Sequence, residues 1–98
     1  MGHISLTTAT DGEVMLVLGQ RLAALREARG LTRLEAAAQA GLGRRTVFRA
    51  EHGKNPTLLS IVRLLRLYGR VDVLSQLLPE PEISPMALLG KRKGGARG

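Results

Sequence analysis

Apolar positions recur along this chain at helical spacing, and glycines fall where the runs stop. Leu18, Leu22 and Leu25 lie at i, i+4 and i+7 and predict one buried face of a first helix, from about Glu13 to Arg29. Thr10 and Asp11 are its candidate caps, and Gly30 sits where a left-handed residue closes a helix. Thr32 and Glu35 form a T-x-x-E capping box that starts a second helix, Arg33 to Ala40, ended by Gly41. A third helix runs from Arg44 to about His52 and stops at Gly53. Val47 and Ala50 point inward from it, and Ala37 is small where the second and third helices must cross closely. The fourth helix, Leu58–Tyr68, has Thr57 as its N-cap after Pro56, Gly69 as its stop, and a core face of Leu58, Ile61, Leu65 and Tyr68. A fifth, roughly Val71–Leu78, ends at Pro79. No segment alternates with period two over a useful length, so the predicted fold class is all-α, with five helices.

The chain divides accordingly. Residues 1–10 are polar and Thr-rich and are expected to be a flexible N-terminus. Residues 11–78 are the helical domain. Residues 79–98 begin with the extended linker Pro79-Glu80-Pro81-Glu82. Ser84-Pro85 then reads as a cap with proline at the first helical position, opening a short apolar turn Met86–Leu89. The basic, Gly-rich tail 91–98 is expected to be disordered.

Charge narrows the partner. Fifteen basic residues against eight acidic ones give a net charge of +7, which favours an anionic partner, nucleic acid before a membrane surface. Aromatic residues are limited to Phe48 and Tyr68, too few for the stacking platforms of single-stranded nucleic-acid modules. No apolar run approaches the ~20 residues of a membrane span, and Val14–Leu18 is too short for a signal-peptide core. No cysteine is present, which fits a reducing cytoplasm, with the nucleoid as the expected location.

The stretch Leu31–Gly53 has the layout of two short helices joined by a Gly-Leu-Gly turn, the second carrying Arg44, Arg45 and Arg49 on its outer face. The fragments LGQRLAALREARGLT, EAAAQAGLGRRTV and EHGKNPTLLSIVRLL occur in order with the spacing of the Xre-type helix-turn-helix family, the phage-repressor and Cro-like proteins, and the run Leu18–Tyr68 resembles that family. The resemblance implies a compact five-helix bundle of the phage-repressor-like type that binds double-stranded DNA, commonly as a homodimer, with the third helix in the major groove. It makes Arg44, Arg45 and Arg49 the base-reading residues. Arginine's paired donors match O6 and N7 of guanine, so G-containing half-sites of a palindromic operator are expected.

Thr32 and Arg33 lie at the N-terminus of the second helix, where free N–H groups favour phosphate. Thr46, Lys54 and Asn55 are further candidate phosphate contacts. Arg33 departs from the family's usual glutamine, which puts in doubt the link that glutamine makes to the third helix. Phe48 departs too, where a polar residue is more usual. It either packs over Ala36, the favoured reading, or touches a thymine methyl. Arg26 and Glu51 match family positions that form a partly buried ion pair. His52 reads as a helix C-terminal dipole partner. With only His3 beside it, a zinc site would lack ligands, and neither metal nor cofactor is expected.

More apolar residues are present than a monomer of this size hides. Leu59, Val62, Val73, Leu77, Ile83, Met86, Leu88 and Leu89 are candidates for a dimer or partner interface, and Leu67 adds to the apolar surplus of the fourth helix. An enzyme is not expected, because the chain has no cysteine, histidine pair, phosphate-cradling Gly-Lys loop or evident carboxylate pair. The leading expectation is a transcriptional repressor. The Pro-Glu-Pro-Glu linker and the Ile83–Leu89 segment also look like HipB-type antitoxins, whose main partner is a toxin protein. A restriction-modification controller protein shares the fold and size.

Overall fold

A computed structural model of the chain describes residues 5–81. The expected turn Met86–Leu89, the tail 91–98, and the interface candidates Ile83, Met86, Leu88 and Leu89 lie outside the described residues.

Helix α1 spans Asp11–Ala28. It starts two residues earlier than the apolar spacing predicts, because Thr10 and Glu13 make a capping box of their own. The Thr10 hydroxyl accepts from the Glu13 N–H at 3.1 Å, and the Glu13 carboxylate accepts from the Thr10 N–H at 2.8 Å. The Ser5 carbonyl accepts from the N–H groups of Thr8 and Ala9, so a hydrogen-bonded turn precedes the helix. Helix α2 is Arg33–Ala40, α3 is Arg44–Glu51 and α4 is Leu58–Leu67. The Thr32–Glu35 capping box opens α2, and Thr57 caps α4 through the Ser60 N–H. A 3-10 turn, Val71–Val73, then leads into the short helix α5, Leu74–Leu77. No strand occurs among the described residues.

Gly41 closes α2 in the left-handed conformation with φ 71°, where a side chain would be strained, and its N–H donates to the Ala37 carbonyl. The chain thereby reverses in three residues and α3 starts at Arg44. The core gathers Leu22 from α1, Ala36 and Ala37 from α2, Val47 and Ala50 from α3, and Leu64, Leu65 and Tyr68 from α4 and its end. Leu25, Leu31, Ile61, Leu67 and Leu74 pack around it.

Two predicted core positions are wrong. Leu18 is 43% exposed, and the buried residues of α1 are Gly19, Leu22 and Arg26. The helix is turned so that Gly19 lies on α3. A Cβ at Gly19 would meet the Glu51 carbonyl at 2.5 Å and the Ala50 carbonyl at 2.8 Å, so only glycine allows the two backbones to approach this closely. Leu58 is 59% exposed at the open N-terminal end of α4. The buried face of that helix is Ser60, Leu64 and Leu65, continued by Tyr68 just beyond it. The interface candidate Val73 is half-buried and packs against the core. Leu59 and Leu77 are each 59% exposed, and Val62 is half-buried.

Candidate nucleic-acid interface

Helix α3 owes its position to its inner face. Val47, Ala50 and Glu51 are buried, and the short side chains of Ala36 and Ala37 face them from α2. Turned outward from the same helix, Arg44, Arg45 and Arg49 are exposed. Gly43 is the N-cap of α3 and provides no side-chain cap, so the first N–H groups of this helix are left uncapped beside Arg44 and Arg45.

A buried ionic centre anchors the helix. The Arg26 Nε donates to Glu51 Oε2 at 2.6 Å and its Nη2 to Oε1 at 3.1 Å, the paired geometry that binds carboxylate most strongly. Arg26 Nη1 also donates to the Leu31 carbonyl at 2.8 Å, tying the start of α2 to α1. The Arg33 Nε adds a third donor to Glu51, at 2.8 Å from Oε1. Burial pushes the Glu51 carboxyl up, but the hydrogen bonds from Arg26 and Arg33 outweigh it and hold the group below the ordinary carboxylate range. The Glu51 hydrogen bond conversely raises Arg26 against the opposing effect of burial. Burial, with the Glu51 charge nearby, pushes the Tyr68 phenol up to about 12, and its hydroxyl is buried without a hydrogen-bond partner.

Arg33 therefore corrects one expectation. Its replacement of the usual glutamine does not break the tie between α2 and α3, because the tie runs through Glu51. The guanidinium stays part-exposed and lies over the Phe48 ring, 5.3 Å from its centroid. Arg33, Arg44, Arg45 and Phe48 together line an open groove of about 590 Å³. At the start of α2 the capping box occupies the N–H groups of Thr32 and Glu35 and brings the Glu35 carboxylate to that end. The N–H groups of Arg33 and Leu34 remain as the free donors there.

Beyond α3, Arg49 Nη2 donates to the Lys54 carbonyl at 3.0 Å, and the Lys54 N–H donates to the Arg49 carbonyl at 2.8 Å. Arg49 thus braces the loop that presents Lys54 and Asn55, a role the sequence did not reveal. Asn55 holds this loop in the left-handed region with φ 54°, which asparagine tolerates better than most residues. Thr46 is half-buried, while Lys54 and Asn55 are exposed. His52 closes α3, with its Nδ1 2.8 Å from the Phe48 carbonyl and its ring stacked on Phe48 at 3.9 Å. The Phe48 side chain is not folded into the interior: it packs along its own helix on His52 and remains 44% exposed. The i, i+4 spacing of Phe48 and His52 was the signal available for that stack.

The cations on this face are Arg33, Arg44, Arg45, Arg49 and Lys54, and the adjacent Glu51 is already neutralised by its partners. Such a surface attracts phosphate and offers guanidinium forks to base edges. Among the described residues no group of acidic, histidine or cysteine side chains is placed to hold a metal ion, and no helix is long and apolar enough to cross a membrane.

No curated protein matches the chain. The family model described as helix-turn-helix matches residues 22–74, just over half of the chain and the whole of α2, α3 and α4. The α2–turn–α3 unit thus lies within a known DNA-binding architecture, and the chain belongs to the Xre-type helix-turn-helix family of DNA-binding regulators.

Proposed function

We propose that this protein is a sequence-specific transcriptional repressor that binds a palindromic operator as a homodimer. Helix α3 enters the major groove, where Arg44, Arg45 and Arg49 read guanines, each good bidentate contact contributing about 1–3 kcal/mol of discrimination. Thr32, Arg33, Thr46, Lys54 and Asn55 hold the flanking phosphates and set the register without reading sequence. The supporting observation is the division of α3 itself. Its inner face is locked by Val47, Ala50 and the Arg26–Glu51–Arg33 centre, while Arg44 and Arg45 are exposed and Arg49, also exposed, keeps one nitrogen on the Lys54 carbonyl. The dimer forms through Leu59, Val62, Leu77 and the chain beyond Pro81, and spaces its reading helices about 34–36 Å apart, one DNA turn.

Selection of bound duplexes from a random pool tests this reading. The expected result is a palindrome with G-containing half-sites one turn apart, and the absence of any enriched sequence would contradict it.

A second reading rests on the exposed Leu77 at the end of α5 and the Pro-Glu-Pro-Glu segment that leads away from it. In that reading the chain is an antitoxin that holds a toxin protein through its C-terminal segment and uses operator binding for autoregulation. A toxin-like gene adjoining this one, whose product co-purifies with the chain, distinguishes it from the repressor.

A further inference from the structure

Phe48 is one of two aromatic rings in the chain outside its histidines, and Tyr68, the other, is buried. Phe48 is 44% exposed and lines the same groove as Arg33, Arg44 and Arg45. Its orientation is fixed from two elements. His52 stacks on the ring at 3.9 Å with an interplanar angle of 20°, while Arg33, itself bonded to Glu51 at 2.8 Å, lies over it at 5.3 Å. The groove lined by Arg33, Arg44, Arg45 and Phe48 therefore has guanidinium donors and one apolar wall.

Phosphates and guanine edges satisfy the donors but offer nothing to the wall. The apolar group that DNA presents in the major groove is the C5-methyl of thymine. Cytosine carries only a hydrogen at that carbon, and 5-methylcytosine carries the same methyl as thymine. We propose that Phe48 is a specificity-determining residue that reads a pyrimidine C5-methyl group beside the guanines read by α3. The inference rests on the major-groove reading above and adds to it a base position and a sensitivity to cytosine methylation.

The test uses the full chain and the duplex it enriches from a random pool. Each thymine of a half-site is replaced in turn by uracil, which removes the methyl and keeps the pairing edge. One position per half-site is expected to weaken binding by the wild-type chain about four-fold, the equivalent of about 0.8 kcal/mol for one buried methylene-sized group. Placing a cytosine pair there, with and without a 5-methyl group, isolates the methyl: tighter binding of the methylated form is expected, and no difference between the two forms would overturn the sensitivity to cytosine methylation. In Phe48→Ala the four-fold dependence on the methyl is expected to vanish. Wild-type indifference to uracil at every position, an operator with no thymine in its half-sites, or an unchanged uracil penalty in Phe48→Ala would each overturn the inference. The uracil series needs no protein variant, so it stands even if Phe48→Ala folds poorly. A pool with no enriched sequence would instead overturn the major-groove reading itself, and this inference with it.

Discussion

The Glu51 carboxylate is buried with both oxygens bonded to guanidiniums, so removing it strands the Arg26 charge inside the domain. Breaking one side of a buried pair costs about 3–5 kcal/mol, a large share of the roughly 5–15 kcal/mol that holds a small domain folded. Glu51→Gln is expected to lower the urea midpoint accordingly, and Arg33→Ala to lower it far less, because Arg33 is part-exposed and the Arg26 pair survives. Acid should act on the same group. Its folded pKa lies below the ordinary 4.5, so its contribution is present above that value and is lost as pH falls through the folded pKa. Wild type should therefore lose stability below about pH 4.5 more steeply than Glu51→Gln, as measured by urea unfolding across that range. Tyr68 behaves in the opposite sense. Its folded pKa is raised from 10.0 to about 12, so its contribution is complete below pH 10 and declines as pH rises towards 12. Tyr68→Phe removes an unpartnered buried hydroxyl and should be neutral or slightly stabilising at pH 7, with a shallower decline in alkali.

Helix α1 illustrates how a whole element is set by one contact. Gly19→Ala would press a methyl group into two backbone carbonyls of α3, which cannot turn aside as a side chain can. Overpacking of this kind costs about 1–3 kcal/mol, and calorimetry should show a lower Tm for Gly19→Ala. Gly12 is on the same helix, and a Cβ there would meet nothing within 4 Å, so Gly12→Ala should instead stabilise by up to about 1 kcal/mol through helix propensity. Part of this order among elements is legible in the sequence itself. Capping boxes and glycine stops are chemistry between residues a few positions apart, and Thr32–Glu35, Thr57 and Gly41 announced their helices directly. The rotation of α1 is decided by a distant backbone, so of the expected face Leu22 and Leu25 meet the core while Leu18 is turned out and Gly19 and Arg26 are buried. The outward arginines of α3 could be read from helical spacing. The Arg33–Glu51 bond and the Arg49 brace on Lys54 could not, because they depend on where the start of α2 and the loop after α3 come to rest.

For the whole molecule, a cationic face held by a neutralised core predicts a definite response to salt. Each phosphate contact removed should reduce the slope of log affinity against log salt by about 0.9, so Lys54→Ala should flatten it by about one contact on all duplexes alike. Arg45→Ala separates base reading from simple attraction most directly, because Arg45 is exposed and makes no salt bridge among the described residues. The decisive measurement is the affinity of wild type and Arg45→Ala for the enriched operator and for a scrambled duplex of equal length, at one salt concentration. If α3 reads bases, the substitution weakens operator binding by about 1–3 kcal/mol and relaxes the preference at one guanine, with a much smaller effect on the scrambled duplex. An equal loss on both duplexes would contradict the account.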